Sequence, residues 1–385
     1  MKIIEELTKQ HGLSQKEIGS YLGFDETRMS KFKNGKLQLT DLQFKHLDDL
    51  KSFKEMDQPL ELKFDYVRMR FETTDVGKII NEVLLLDLDW LEPVEIGWYG
   101  YKNHIAFGDI VIMYDIEDKK LGVLLELKGG GCRNFEQILA EQKRSWFDFF
   151  TLALEHDGIM RRFDLAIDDK SGILDLPFFI EKMKKSECDT TFRRYNVYSD
   201  SENKKWEDGD KQMGSTLYIG SRKSTIYFCL YEKDYEQYTK TGVAPRYHRV
   251  RNRFEIRLKD ERAEVALKEY IKNDNLEALA FGIIVRYMCF HDKKKGVDLK
   301  ESPVNKRWEM FIAATQSVMK LTTEPEEITL EDTWRWIEKQ VASTLRLLNY
   351  IDPRRLTDTV NEATLSIKQR NILKSHNKEL AEVMR

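Results

Sequence analysis

The sequence predicts an α+β protein: an all-α N-terminal unit, a central, mainly antiparallel β-sheet flanked by helices, and an α-helical C-terminal region. Three patterns carry that expectation. Strand-like alternation is concentrated between residues 64 and 259, and helical spacing fills residues 1–50 and the chain after Glu261. The third pattern is the stretch Thr216–Glu236, which reads as a hairpin of two strands, Thr216–Gly220 and Thr225–Lys233, around the basic turn Ser221–Ser224. Side chains alternate between faces along a strand. Leu217, Ile219, Ile226, Phe228 and Leu230 therefore form an apolar side, while Tyr218, Tyr227, Tyr231 and Lys233 form the other. An apolar face opposite tyrosines and cations fits a half-buried antiparallel pair whose open side meets a polyanion.

The length of 385 residues leaves room for two or three domains. The boundaries expected are 1–58, 62–298 and 299–385. Basic and acidic residues nearly cancel, 63 against 66 for a net charge of −3, so only local patches can point to a nucleic-acid partner. Four cysteines (Cys132, Cys188, Cys229, Cys289) are scattered without a CxxC pair, which fits a reducing cytoplasm rather than a disulfide framework. Acidic residues interrupt the apolar N-terminal run as no signal peptide would tolerate, and no apolar run reaches the ~18 residues of a membrane span.

In chain order, Ser14 stands three residues before Glu17, the capping-box spacing that satisfies free N–H groups at a helix start. That helix carries Ile18 and Leu22 inward and ends at Gly23. A second, Glu26–Lys33, buries Met29 and Phe32 and stops at Asn34-Gly35, both suited to a left-handed C-cap. Two short helices around a tight turn form a helix-turn-helix, and LSQKEIGSYLGFDETRMSKFKNGK resembles the Cro/repressor type. The resemblance implies that Glu26–Lys33 is the recognition helix, with Thr27, Arg28, Lys31 and Lys33 available to duplex DNA. A polar stretch over residues 51–62 reads as a linker.

Strands follow at Phe64–Thr73, where Tyr66, Arg68 and Phe71 break a perfect alternation, and at Val94–Tyr101, Ile105–Tyr114 and Leu121–Leu127. Val76–Leu86 has helical spacing, and residues 134–157 read as one amphipathic helix with Trp146, Phe147, Phe149 and Phe150 on its aromatic side. Next come strand Arg161–Asp168, helix Pro177–Lys185, an exposed loop Ser199–Met213, the hairpin, and strand Phe254–Lys259 entered through the basic loop Arg246–Arg253. Helices are then expected at Ala263–Asn273, Leu276–Phe290, Trp308–Leu321, Leu330–Tyr350 and Ala363–Arg385. Trp334, Trp336 and Leu345–Leu348 read as core-facing.

Several strands carry charges where a core sheet would have none. Arg162, Asp164 and Asp168 oppose Phe163, Leu165 and Ile167; Arg253, Glu255 and Arg257 oppose Phe254, Ile256 and Leu258; Glu126 is the one charge in GVLLEL. Carboxylates are poor strand formers. Glu126, Asp164 and Glu255, if brought together, make an all-oxygen site for Mg²⁺ or Mn²⁺. Arginines beside them, Arg222, Arg253 and Arg257, would clamp phosphate, and a tyrosine would serve as covalent nucleophile. The seven histidines form no HxH, HxxxH or HExxH, and Walker A, GxGxxG and GxSxG motifs are absent.

Four strings, ELKGGGCR, RRFDLAIDD, TLYIGSRKS…YFCLYEKDYEQ and NRFEIRLK, occur in the order of the Rep-trans family, and residues 62–290 resemble its rolling-circle plasmid initiators and conjugative-element relaxases. The resemblance implies site- and strand-specific nicking of origin DNA by a tyrosine, divalent-metal dependence, a 5′-phosphotyrosyl intermediate, and work alongside a helicase or coupling protein. The added helix-turn-helix is more similar to the relaxases, with replication initiator of a plasmid or phage as the alternative. Tyr231, which shares its expected strand face with Lys233, leads as nucleophile, ahead of Tyr218 and then Tyr227; a cation there could lower its pKa or hold phosphate. A helix-turn-helix transcriptional regulator without catalysis is the rival of another class, and such a regulator has no need of the carboxylate strands or the tyrosine hairpin.

Overall fold

The structure is a computed structural model that describes residues 2–86, 92–94, 96–118, 120–201, 212–313, 334 and 342–363. It opens with helices α1 (Lys2–His11), α2 (Gln15–Tyr21), α3 (Glu26–Lys33) and α4 (Asp41–Glu55). The capping box forms as expected: the Ser14 hydroxyl accepts from the Glu17 N–H, and the Glu17 carboxylate accepts from the Ser14 N–H at 2.8 Å. Asp25 caps α3 through the Arg28 N–H, and of the Asn34-Gly35 pair it is Gly35, at φ 69°, that takes the left-handed conformation. Met29 and Phe32 face inward; Thr27, Arg28, Lys31 and Lys33 are exposed. The linker expected over residues 51–62 does not exist as such. Lys51–Glu55 complete α4, whose Phe53 is buried, and Leu60–Leu62 already belong to the first strand.

That strand, β1 (Leu60–Phe71), lies in a ten-stranded antiparallel sheet ordered β2-β3-β4-β5-β1-β6-β11-β10-β9-β8. Its other members are β2 (Glu92–Val94), β3 (Asn103–Phe107), β4 (Ile110–Tyr114), β5 (Val123–Lys128), β6 (Ile159–Asp169), β8 (Tyr195–Ser201), β9 (Gln212–Ile219), β10 (Ile226–Glu232) and β11 (Asn252–Lys259). The short strands β7 (Cys188–Thr190) and β12 (Met288–Phe290) pair apart from it. Several expectations are corrected in detail. Most of Val94–Tyr101 is loop, Ile105–Tyr114 is a hairpin turning at Gly108-Asp109, and the loop expected over 199–213 is partly strand, its remainder lying outside the described residues. The helix over 134–157 is two, α6 (Gly130–Glu141) and α7 (Trp146–Glu155), because Lys143 adopts φ 56° and Ser145 starts a new capping box with Asp148.

The apolar face of the sheet holds the core. Phe64 of β1 and Phe163 of β6 pack against Trp146 and Phe150 of α7 and Tyr270 of α10 (Asp260–Asn273), with ring centroids between 4.6 and 6.2 Å. Phe254 of β11 meets Trp308 and Phe311 of α12 (Lys306–Ala313), and Phe281 of α11 (Leu276–Tyr287) completes the cluster. The last described helices, Ala342–Ile351 and Pro353–Glu362, overturn the core-facing reading of that region: Trp334, Leu347 and Leu348 are exposed. Trp336 lies outside the described residues.

A buried seam of charge joins α4 to the sheet. Asp49, 1% exposed, accepts from Arg251 Nη1 at 2.8 Å and from Arg307 Nη1 at 3.4 Å. Arg307, on α12, is fully buried, donates to the Gly172 carbonyl at 3.0 Å, and lies 4.8 Å from the Tyr21 ring of α2. Lys45 of α4 pairs with Asp175, the N-cap of α8 (Leu176–Lys184). Gly172 has φ 90°, and a Cβ there would stand 2.5 Å from Arg251 Nη1 and 2.7 Å from Asp49 Oδ1, so only glycine leaves the pair intact. Burial pushes the Asp49 carboxyl up to about 6 against the pull of Arg307 and Arg251.

Candidate active site

The second face of the sheet is polar across its middle strands. Register places Tyr66 beside Asp164, Asp164 beside Arg257, and Arg257 beside Tyr227; four residues along, Asp168 lies beside Arg253 and Arg253 beside Tyr231. The irregularity of β1 noted in its sequence is a register shift between Phe64 and Tyr66, with Asp65 as the extra residue. A bulge turns side chains that strict alternation would send elsewhere. Here it brings Tyr66 onto the polar face, while Asp65 accepts from Arg253 Nη1 at 2.8 Å and, through its carbonyl, from the Gly129 N–H at 2.8 Å.

Beside this face lies a cavity of ≈ 470 Å³, walled by α9 (Lys233–Thr241) and by the glycines that open α6. Tyr231 and Glu255 line it with six cationic side chains, Lys63, Arg133, Lys233, Lys240, Arg253 and Arg257. The Tyr231 hydroxyl donates to Glu255 Oε1 at 2.8 Å, and Glu255 Oε2 accepts from Arg257 Nε at 2.7 Å. Burial holds the Tyr231 phenol well above its ordinary value of 10; Arg253 opposes that, while the carboxylates of Glu255, Glu236 and Asp65 add to it. Lys233 starts α9 instead of ending a strand, so it does not share a strand face with Tyr231. Its ammonium still lies 5.5 Å from the Tyr231 ring centre, and it pairs with Glu236. The floor is a compact ion cluster: Asp168, fully buried, takes Lys63 at 2.8 Å and Arg253 through two guanidinium nitrogens. Burial would raise that carboxyl, but Arg253 and Lys63 outweigh it and hold Asp168 far below the carboxylate range.

The other expected residues fall elsewhere. Tyr227 is buried with its hydroxyl accepting from Arg257 at 3.4 Å, and Tyr218 lies under Arg222, whose guanidinium is 5.3 Å from the ring. Arg222 is therefore a neighbour of Tyr218 and does not line the Tyr231 cavity. The three-carboxylate metal site is corrected. β1 separates Glu126 from Asp164 and Glu255, and Glu126 is held by the Tyr66 hydroxyl, by Lys128 at 2.7 Å and by Trp98 Nε1 at 3.2 Å. Burial would raise the Glu126 carboxyl, yet those donors bring it below its ordinary value. Asp164 and Glu255 are diagonal neighbours, but Arg162 is paired with the first and Arg257 with the second. Asp164 Oδ1 is buried without a partner, and burial, partly offset by Arg162, pushes this carboxyl up to about 6. One free oxygen is not the converging set that Mg²⁺ or Mn²⁺ takes. No group of three or more His, Cys, Asp and Glu able to hold a metal occurs among the described residues.

Sequence reasoning missed Lys63, Asp65, Arg133, Glu236 and Lys240 at the cavity, and Tyr66 beside it. The broken alternation in FDYVRMRF was the available signal for Asp65 and Tyr66, since an unpaired residue is what a bulge leaves in a pattern of period two. Lys63 is charged within an otherwise apolar LKF run, which only a buried ionic partner explains.

Comparison with known proteins agrees with this architecture. Residues 158–363 match the replication initiation factor family, Rep_trans, and residues 61–152 match the N-terminal domain of rolling-circle replication initiation proteins. A candidate DNA relaxase of Bacillus subtilis (strain 168), NicK, is 33% identical over 333 residues, covering 86% of this chain and 93% of its own. The solved structure of a rolling-circle replication initiator protein from Geobacillus stearothermophilus superposes with a TM-score of 0.58 at 26% identity, over 69% of this chain and 99% of that one. No helix among the described residues is long and apolar enough to cross a membrane. With the sheet, the tyrosine hairpin and these matches in agreement, the chain belongs to the Rep_trans replication initiation factor family, alongside rolling-circle initiators and a DNA relaxase.

Proposed function

We propose that this protein is a DNA relaxase that nicks one strand at an origin and rejoins it, with Tyr231 as nucleophile. The observation that carries the reading is the Tyr231 hydroxyl, hydrogen-bonded at 2.8 Å to Glu255 in a cavity lined by six cations. A phosphodiester in that cavity meets guanidinium and ammonium groups suited to its charge. The phenolic oxygen attacks phosphorus as Glu255 takes its proton. The bond from phosphorus to the 3′-oxygen breaks, the 3′-oxygen leaves and takes a proton from water, and the 5′-phosphate stays on Tyr231. One phosphodiester replaces another, so the reverse attack by the 3′-hydroxyl restores the strand. The exposed Thr27, Arg28, Lys31 and Lys33 of α3 supply the duplex-reading surface in this scheme.

No step is assigned to a divalent ion, because the carboxylates around the tyrosine, Glu255, Glu236 and Asp65, are already paired with Arg257, Lys233 and Arg253. Titrating Mg²⁺ or Mn²⁺ into the reaction tests this point separately, and an absolute requirement would mean that those pairs open. The decisive experiment incubates the protein with single-stranded origin DNA and resolves covalent adduct on a denaturing gel. Tyr231→Phe abolishes the adduct, while Tyr218→Phe and Tyr227→Phe retain it. An adduct that survives Tyr231→Phe overturns the assignment. A protein that shifts supercoiled origin plasmid without ever nicking it is instead a regulator.

A further inference from the structure

At the turn end of the β9–β10 hairpin, away from the tyrosine cavity, a second pocket of ≈ 410 Å³ is lined by Arg193, Arg194 and Arg262 together with hydroxyls of Ser221, Ser224 and Thr225. Among the described residues that line it there is no carboxylate. That is unusual for this chain. The arginines around the seam and the tyrosine cavity each have an acidic partner: Arg162 with Asp164, Arg251 and Arg307 with Asp49, Arg253 with Asp168, Arg257 with Glu255. Arg193, Arg194 and Arg262 make no ion pair among the described residues, although the chain carries 66 acidic side chains. All three are exposed, and they come from two separate segments: the approach to β8, and the start of α10. Arg193 and Arg194 supply the first of these, Arg262 the second, and the exposed turn residues Arg222 and Lys223 lie beside them in sequence to Ser221 and Ser224. Like charges held together without counter-charge repel one another, an arrangement that a bound polyanion relieves.

We propose that this pocket is a second phosphate-binding site that grips the DNA backbone several nucleotides from the bond that is cut. Ile226, at the turn end of β10, and Tyr231, one residue short of its other end, lie about 17 Å apart along the strand at ~3.3 Å per residue, on opposite faces of the sheet, so that DNA leaving the cavity passes round the hairpin turn to the pocket. A strand held covalently at Tyr231 therefore reaches the pocket after a few nucleotides. Guanidinium forks match phosphate oxygens, and the hydroxyls add donors without sequence preference. The site would lengthen the footprint on DNA and keep the cut strand in place after its continuity is lost. This inference rests on the nicking reading, which it extends from the scissile bond to the DNA beside it.

The test uses the full chain and three single-stranded origin oligonucleotides: a short one spanning the nick, and the same one extended by a dozen nucleotides on the 5′ or the 3′ side. Affinity is measured across a salt series for the parent and for Arg193→Gln, Arg194→Gln and Arg262→Gln, singly and combined. The parent binds one extended oligonucleotide more tightly than the short one. The triple variant loses that advantage, at least tenfold, with a salt slope smaller by about 2, as expected for three lost phosphate contacts at ~0.7 each. Its affinity for the short oligonucleotide and its rate of adduct formation there stay unchanged. If the triple variant melts early, the single variants, each expected to lose two- to threefold on the extended DNA only, decide the matter. Equal losses on short and extended DNA, or none on either, overturn the proposal. So does arginine-dependent binding of free ATP or pyrophosphate with DNA affinity untouched. The binding arm reads the pocket even where no adduct forms, an outcome that would count against Tyr231 chemistry alone.

Discussion

Replacing Glu255 by glutamine removes a negative charge and a base while keeping the shape of the side chain. An unperturbed tyrosine near pKa 10 is about 1% phenolate at pH 8. Burial pushes Tyr231 well above that, and each further unit removes another factor of ten. The proposed attack of Tyr231 on phosphorus therefore depends on a group that takes the proton as the bond forms. Glu255 Oε1 stands 2.8 Å from the hydroxyl, and Arg257 engages the other oxygen, leaving Oε1 aimed at the phenol. General-base assistance is worth about 10²- to 10⁴-fold. At ~1.36 kcal/mol per decade that is about 2.7–5.5 kcal/mol of transition-state stabilisation. The assay is single-turnover formation of covalent adduct on saturating single-stranded origin DNA between pH 6 and 9. Glu255→Gln should slow it by two to four decades and make its rate climb about tenfold per pH unit, as the phenolate fraction does. A rate within threefold of the parent, with an unchanged pH profile, would refute the reasoning.

Three further outcomes follow from the same geometry. Asp49→Ala strands the fully buried Arg307 and its neighbour Arg251, and should cost about 3–5 kcal/mol of stability in urea titration; a loss below 1 kcal/mol would show that the seam contributes little. Glu126→Gln should lower the melting temperature, since Tyr66, Lys128 and Trp98 all lean on that carboxylate, yet leave adduct formation within threefold because Glu126 does not line the cavity. Asp164, raised to about 6 from 3.8, contributes stability that is fully present below about pH 4 and lost as pH rises through 6. That loss is about 3 kcal/mol at ~1.36 per unit, so the stability of Asp164→Asn relative to the parent should improve between pH 4 and 6; a difference flat across that window contradicts the shift.

The local rules of helix starts were written plainly in the chain. Ser14 with Glu17 defined α2, and the ends of α3 fell at Glu26 and Lys33 as the sequence suggests. The apolar alternation of β6, β10 and β11 was equally legible, because one buried face forces a period of two. What the sequence could not show was the order of strands. Glu126, Asp164 and Glu255 look equivalent as lone carboxylates in strands, and only the insertion of β1 between β5 and β6 separates the first from the others. Lys233 was misplaced for a related reason: its residue type is at home at a strand end or a helix start, and the backbone of Arg251, accepting from the Lys233 and Asp234 N–H groups, decides for the helix. The residues read as a linker failed for want of knowing that Asp49 is buried, since a polar stretch around a fixed ionic contact has the composition of a tether.

The seam through Asp49 bears on how DNA would be measured under the proposed function. Only Met56–Pro59 separate α4 from β1, and Arg251, which clasps Asp49, also caps the helix that follows the tyrosine strand. A domain on a loose tether samples many distances and rotations, and tolerates variation in whatever it holds. This arrangement behaves as a caliper. In the proposed scheme the duplex held by α3 is carried at one distance and one angular setting from the Tyr231 cavity, so half a helical turn inserted into the DNA between the two points should be a larger error than a full one.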